Sequence, residues 1–437
     1  MAERAFTESG ALYLGVDFGT SGCRIAVIDD DGRALAFHSE ALAPSSADND
    51  HAEQDPQRWW QTLVALLRDV LDPALRRRIA AIAVDGTSAS LLLCDADGQP
   101  VTPCLMYNDS RAVGEAARID AVAPADNSAV RGPSSALAKL LYFESLDIAA
   151  AAFALHQADW VANRLMARFG VSDANNCLKL GYDAIGHRWP PWLTSLLKLP
   201  SRLPHVCAAG SPLGPVSAEA AQELSLPATT QVVAGTTDSI AGCLAAGAHA
   251  PGDAVTSLGS TLVVKLVCER PISAPEYGIY SHPYGDYWLA GGASNCGGAV
   301  LLQYFEPARL ARLSEQLHPQ QPTGLDYYPL PAIGERFPYA DPTLAPRLTP
   351  RPPSDVEFLQ AILEGISNVE HLAYQRLLEL GANPVRRIFT VGGGSRNQAW
   401  TEIRSQRLGL PLCPPRHTEA AFGSAYLAQQ GYRGLCR

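Results

Sequence analysis

The sequence holds no Cys-x-x-Cys pair among its ten cysteines, no block of basic residues, and no apolar run approaching the ~20 residues a membrane-spanning helix needs. Each absence excludes a class of function. Single cysteines scattered from Cys23 to Cys436 build neither zinc knuckles nor redox dithiols, and they fit a reducing compartment. A formal net charge of -10 with no basic cluster argues against a nucleic-acid backbone or an anionic membrane surface as partner. The opening MAERAFTESG lacks the apolar core of a secretory signal, so the expected location is cytoplasmic. G-x-x-x-x-G-K-[ST] is missing and GTSGCR is not G-x-G-x-x-G, which removes the P-loop and the Rossmann fingerprint. A polyanionic ligand would have to be met locally, by backbone amides, a helix N-terminus or a metal.

What is present is an α/β chain. The 437 residues are 47% hydrophobic and 18% charged, enough for two domains of roughly 200 residues, each with its own core. From Leu12 to about Val233, strand-like runs such as IAAIAVDG alternate with amphipathic helices such as the one starting in QDPQRWWQTLVALL. The second half restarts like the first: VDFGTSGCRIAVI and VTSLGSTLVVKLV share the order strand, glycine with Ser or Thr, strand. The expected division is 1–234 and 235–437. The proline-rich stretch from about His318 to Pro353 carries Leu, Tyr, Phe and Ile, which predicts packed irregular structure rather than a tether. After it, Phe358, Ile362, Ile366, Val369, Ala373 and Leu377 recur at helical spacing before Gly381, the pattern of a long core-facing helix.

Three stretches carry chemistry. In YLGVDFGTSGCRIAVIDDDG, strands over Tyr13–Phe18 and Arg24–Ile28 flank a glycine-hydroxyl turn that Asp17 immediately precedes. Gly19, Thr20, Ser21 and Gly22 offer close backbone approach, amide donors and two hydroxyls. A carboxylate beside such a nest tolerates an anion only with a cation between them, which points to phosphate oxygens and Mg²⁺; an ordinary hairpin turn is the alternative. In VVAGTTDSIAG, Asp238 stands where a strand gives way to a helix. It is either a helix cap or an ionised acceptor for a hydroxyl proton, two compatible roles because a helix N-terminus keeps a carboxylate charged. In IFTVGGGSRNQAWTEI, a triple-glycine turn precedes a helix with Asn397 in its first turn; the glycines would let a flat ring lie on the backbone, or serve the turn alone.

Together these segments resemble the FGGY family of carbohydrate kinases, within the actin, hexokinase and Hsp70 ATPase-fold superfamily, along nearly the whole chain. DFGTSGCRIAVID is similar to the family's first phosphate motif, VDGTSASLLLCDADGQPVTPCLMYNDSRA to its sugar-side segment, GTTDSIAGCLAAG to its catalytic-aspartate motif and SLGSTLVVKL to its second phosphate motif. LPAIGERFPYADP is similar to its internal GER-x-P marker, and GGGSRNQAWTEIRSQRLGLPLCPPRHTEAAFGSAYLA to its adenosine signature. The resemblance implies two ribonuclease-H-like α/β domains facing each other across a catalytic cleft, with ATP and Mg²⁺ as cofactors. It implies Asp17 for the metal and the reacting end of the sugar, Asp238 as general base and second acidic group at the metal, and Thr20, Ser21 and Gly22 for the terminal phosphates. Gly259, Ser260 and Thr261 would hold the phosphates from the other side, and Gly393, Gly394 and Asn397 would border the adenosine.

The sugar-side segment narrows the acceptor. Ser88 and Ala89 stand where glycerol kinases carry an Arg-Glu pair, which argues against glycerol, and VDGTSAS is more similar to the D-x-T-x-S sequences of ribulokinase-like members than to the Gly-Gln-x-His type of xylulokinases. The resemblance therefore implies a ketopentose, D-ribulose first with Ser88 bonding the sugar, and D-xylulose second. Asp109 and Arg111 match a family W-x-D-x-R element with Tyr107 in place of its Trp, and are expected to form a structural ion pair. His156, Trp160, Trp59 and Trp60 are expected to pack rather than bind ligand. Two other classes share the fold: a sugar-independent ATPase switch, and a sugar-binding protein without turnover. Nothing in the sequence speaks to oligomeric state.

Overall fold

Strand β1 (Leu12–Phe18) is buried along its whole length, because both faces of the sheet around it are covered. Its even-numbered residues Leu12, Leu14, Val16 and Phe18 join a core with Trp59, Trp60, Trp160 and Val161. Tyr13 points the other way, into a cluster with Ala421, Ala425 and Ala428. This is the period-two alternation of a strand with an apolar layer on each side. β1 pairs antiparallel with β2 (Gly22–Ile28), which pairs antiparallel with β3 (Ala34–Ala41). On its other edge β1 runs parallel to β4 (Ile79–Gly86). With β5 (Pro212–Pro215) and β6 (Gln231–Thr237), the sheet order is β5-β6-β4-β1-β2-β3.

The computed structural model describes residues 10–42, 46–48 and 50–436. They form two α/β units, one reaching to Ala245 and taking in the chain again from Glu419, the other Ala246–Thr418. The expected boundary after residue 234 is thus displaced. The helix opened by Asp238 stays with the strand that delivers it, and the C-terminal helix belongs to the first unit, where it supplies the layer that Tyr13 packs against. Helices α1 (Pro56–Ala65) and α2 (Gln157–Met166) bury Trp59, Trp60, Trp160 and Val161 on one face of the first sheet. Beyond Ala65, α1 loosens into a π-helical turn, Leu66–Val70. A smaller sheet, order 46–48, 51–54, 104–105, 91–94 and 153–156, carries the 87–111 segment.

The second unit repeats the strand plan of the first. β7 (Asp253–Leu258) and β8 (Leu262–Cys268) form the antiparallel pair around the second glycine-hydroxyl turn. β9 (His282–Tyr284) and β10 (Tyr287–Ser294) extend the sheet beyond β8. β11 (Arg387–Val391) joins β7 in parallel and β12 (Leu412–Cys413) follows it. A parallel strand beside the first strand of an antiparallel hairpin is thus common to both halves, as the weak sequence repeat suggests. Helix α3 (Asp355–Glu379), capped by the Ser354 side chain, buries all six apolar positions of its predicted stripe, and Gly381 follows its end with φ 95°. The stretch 318–353 has neither helix nor extended strand and packs by Tyr327, Leu330 and Phe337, each about 1% exposed, as expected. Glu335 of the GER segment organises it, accepting from the Ser294 and Tyr328 hydroxyls (2.6 and 2.8 Å) and the Asn295 amide (2.8 Å). Among the described residues no helix is long and apolar enough to cross a membrane.

Candidate active site

Three neighbouring parallel strands of the first unit end together, and each delivers an acidic or hydroxyl side chain there. The register pairs Asp17 of β1 with Asp85 of β4 and Asp85 with Thr236 of β6, while Arg24 of β2 stands opposite Asp17. Residues in register on adjacent strands share a face, so a polar row Arg24, Asp17, Asp85, Thr236 crosses the sheet at the carboxyl ends of its parallel strands, where α/β sheets expose ligand-binding groups. One step on, the chain turns into the helix Asp238–Ala246.

Asp17 is buried, and Arg24 Nη1 lies 3.2 Å from its Oδ2, with Arg24 Nε 3.5 Å from Glu419 Oε2. Sequence reasoning assigned the cation beside Asp17 to a metal alone; a guanidinium already stands there. Burial still pushes the Asp17 carboxyl above its ordinary value, against the pull of a hydrogen bond with Asp85 and of Arg24. Asp85 is fully enclosed. Ser424 donates to its Oδ2 at 2.5 Å, and its Oδ1 meets no donor among the described residues. Burial and the Asp17 charge hold it well above the usual carboxylate range. Sequence reasoning missed Asp85, although IAAIAVDG ends in the same strand-Asp-Gly form that flags Asp17 within VDFG.

Asp238 is itself the first residue of its helix rather than the residue preceding it, and its Oδ1 accepts the Ser239 N–H at 2.6 Å. Its half-buried carboxyl is pushed up to about 6 by burial and by Asp17, while the Ser239 amide and Lys179 pull the other way. Lys179, whose ammonium burial lowers and Asp238 raises, is the second residue sequence reasoning missed; a lone lysine in ANNCLKLG carries no local signal. Beside Asp17, the Gly19 N–H bonds the Gly22 carbonyl at 3.0 Å, leaving Thr20 and Ser21 exposed at the tip while Gly22 opens β2. Gln54 Nε2 donates to the Thr20 carbonyl (3.0 Å) and is oriented by Trp59 Nε1, which donates to its Oε1 (2.8 Å).

Ser88 follows Asp85 and Thr87 in the same unit. Thr87 and Ser90 share a 2.5 Å hydroxyl contact, Thr87 also donates to Gln157 Oε1 (2.8 Å), and Ser90 accepts the Tyr107 amide (2.9 Å). The Ser88 hydroxyl has no partner among the described residues. Asp109 and Arg111 form the expected structural pair, Nη2 to Oδ2 at 2.7 Å, with Asp109 accepting the Ala52 amide (2.8 Å) and Arg111 reaching Glu53 (2.7 Å). His156, Trp59, Trp60 and Trp160 are core residues, none more than 3% exposed.

In the second unit Gly259, Ser260, Gly393, Gly394 and Asn397 line one open cavity of about 1120 Å³, each contributed at or just beyond the end of β7 or β11. Thr261 lies outside that lining. The Gly259 and Ser260 carbonyls accept the Gly298 and Ala299 amides (2.8 and 3.1 Å). Leu258, Leu301, Leu302 and Leu310 give the cavity an apolar wall suited to a flat heterocycle. The triple glycine divides its labour: a Cβ on Gly392 or Gly394 would come within 2.7 Å of Leu258, whereas Gly393 has nothing within 4 Å. Asn397 is the cap of helix α4 (Gln398–Leu408) rather than a residue of its first turn; its Oδ1 accepts the Trp400 amide and its Nδ2 donates to Ser314, both at 3.0 Å. Among the described residues no three His, Cys, Asp or Glu side chains converge tightly enough to bind a metal unaided.

Comparisons with known proteins cover the chain almost end to end. Residues 12–245 match the N-terminal domain of the FGGY family of carbohydrate kinases, and residues 254–431 its C-terminal domain. The xylulose kinase of Streptomyces coelicolor is 29% identical, over 95% of this chain and 87% of its own. That of Escherichia coli K12 is 25% identical, over 96% and 90%. A crystal structure described as a xyloylose kinase from Brucella ovis superposes with a TM-score of 0.87 at 27% identity, covering 97% of this chain and 91% of the other.

Proposed function

Because this chain belongs to the FGGY family of carbohydrate kinases, we propose that it transfers the γ-phosphate of ATP to the terminal C5 hydroxyl of a ketopentose, D-ribulose in the first reading. The observation that supports this is the meeting of Asp17, Asp85 and Asp238 at the ends of adjacent strands, with the Asp238 carboxyl raised to about 6. A carboxylate of that basicity, ionised at neutral pH, accepts a hydroxyl proton more readily than an ordinary aspartate does. Phosphoryl transfer asks chiefly for placement, since its transition state is loose and proton removal comes late.

In this reading Asp238 holds the sugar hydroxyl and takes its proton, Ser88 spends its unpartnered hydroxyl on another sugar oxygen, and the exposed Thr20 and Ser21 donate to the terminal phosphates. Gly259, Ser260 and Thr261 hold the phosphates from the second unit, and the cavity above Gly393, Gly394 and Asn397 takes the adenosine. The donor set suits Mg²⁺: Asp17 and Asp238 supply hard oxygen ligands of the one or two that Mg²⁺ takes from protein when phosphate oxygens complete its shell. Bound there with ATP, the ion would offset phosphate charge.

D-xylulose is the second reading, favoured by the names of the similar proteins; the similarity of VDGTSAS to the D-x-T-x-S sequences of ribulokinase-like members favours D-ribulose. Incubating the protein with MgATP and D-ribulose, D-xylulose, L-ribulose, glycerol or D-ribose, and weighing the products, decides between them. A pentulose phosphate from D-ribulose supports the first reading, one from D-xylulose alone the second. No phosphorylated sugar, with ATP turned over regardless, would replace both by the ATPase switch; no turnover at all would favour a silent binding protein.

A further inference from the structure

Lys139 lies on the helix Ala136–Ser145 and is completely enclosed. Among the described residues its ammonium makes no salt bridge to a carboxylate; it donates to three backbone carbonyls, Ala89 at 2.8 Å, Met106 at 2.7 Å and Ser134 at 3.0 Å. An ammonium has three protons to give, and all three are used. A buried charge not paired directly with a carboxylate is unfavourable, and here burial lowers the lysine to about 7, against the pull of the Asp109 charge. Such an arrangement persists where the groups it holds need holding.

Those carbonyls belong to the walls around Ser88. Ala89 has φ 71°, one of the few non-glycine residues in the left-handed region among the described residues, a conformation an alanine adopts only under constraint. Met106 precedes Tyr107, whose amide is bonded to Ser90. Ser134 precedes Ser135, the cap of the helix that carries Lys139. Sequence reasoning passed over this lysine.

We propose that Lys139 is a positioning residue for sugar recognition: by gathering the Ala89, Met106 and Ser134 carbonyls on one ammonium, it fixes the turn that presents the Ser88 hydroxyl. This rests on the ketopentose reading of that turn. Lys139 touches neither sugar nor nucleotide, so its removal loosens the turn and weakens sugar binding while the nucleotide side is untouched.

The test is two-substrate kinetics on wild type, Lys139→Met, Ala89→Gly and the double variant, with the ketopentose the wild type phosphorylates. Lys139→Met should raise KM for the sugar about tenfold or more, leaving KM for ATP within about twofold, a loss confined to one substrate. Glycine adopts a positive φ without strain, so Lys139→Met with Ala89→Gly should regain most of the lost sugar affinity, whereas a merely stabilising lysine gives no such rescue. An unchanged sugar KM, a parallel rise in both KM values, or no recovery in the double variant would overturn the proposal. If Lys139→Met does not accumulate as folded protein, Lys139→Gln, which keeps two of the donors, is read by the same split and the same rescue. A wild type that phosphorylates no ketopentose would instead overturn the functional reading on which the proposal stands.

Discussion

Asp238 carries the chemical burden of the proposed reaction, and its environment gives the account a pH signature. The base must be ionised to accept a proton, and its carboxyl lies at about 6 because burial and Asp17 disfavour its charge. The pH profile of kcat/KM for the sugar, which reports the free enzyme, should therefore fall with acid through an apparent pKa of about 6 and level off above neutrality. A limb near 4 would mean that neither burial nor the charge of Asp17 raises it. Asp85 is the residue that changes the picture most. Asp85→Asn keeps the shape, the Ser424 contact and a donor toward Asp17, the contribution by which Asp85 holds Asp17 down, so the acid limb of the same profile should stay at about 6. A limb that moves down would show that Asp85 acts on Asp238 through its charge. Asp17 and Asp238 were legible as letters, since each closes an apolar run beside glycine or hydroxyl residues. Lys179 and Lys139 were not, because each acquires its role from carbonyls or carboxylates far off in sequence.

At the scale of elements, the strands and helices that place the site follow from local pattern. The hairpins around GTSG and LGST, the strand IAAIAVDG, and the α3 stripe from Phe358 to Leu377 could be read from periodicity and turn chemistry because those signals are contained within one element. The C-terminal helix (Ala420–Leu435) was not placed from the sequence, since its partners lie about 400 positions away, as the bond from Gln429 to the Asp29 carbonyl illustrates. A Cβ on Gly15 would lie 1.9 Å from the Ala421 carbonyl oxygen and 2.3 Å from the Ala425 nitrogen, both backbone atoms of that helix that no rotamer can move aside. Gly15→Ala should cost about 3 kcal/mol or more of stability, read as a lowered denaturation midpoint, while Gly393→Ala, opening onto free space, should leave the midpoint unchanged. Equal midpoints for Gly15→Ala and wild type would mean that helix and β1 are not packed as described.

For the whole molecule, the two-domain α/β plan was readable from the repeated strand-turn-strand order, but the boundary was not. Composition does not shift between Gly235 and Ala245, and only packing reveals that the helix opened by Asp238 stays with its strand and that the chain returns to the first unit at Glu419. The return ties Tyr13 of β1 and the helix Ala420–Leu435 to one core. Truncation before Glu419 should therefore expose Tyr13 and its neighbours and yield insoluble or dye-binding protein; a soluble, cooperative first unit without residues 419–437 would contradict that assignment. The choice between pentuloses rested in the sequence only on the likeness of VDGTSAS to the D-x-T-x-S form of ribulokinase-like members, since specificity depends on side-chain placement rather than on pattern.

The central claim, a sugar phosphotransfer served by a strand-end carboxylate, is tested most directly by the rate of ADP release from MgATP with and without ketopentose, in wild type and Asp238→Ala. The account predicts a rise on adding sugar in the wild type and a loss of about 10²- to 10⁴-fold of that rise in the variant, the range for removing a positioned base. An ADP rate indifferent to sugar, or a sugar-stimulated rate that Asp238→Ala leaves intact, would contradict it.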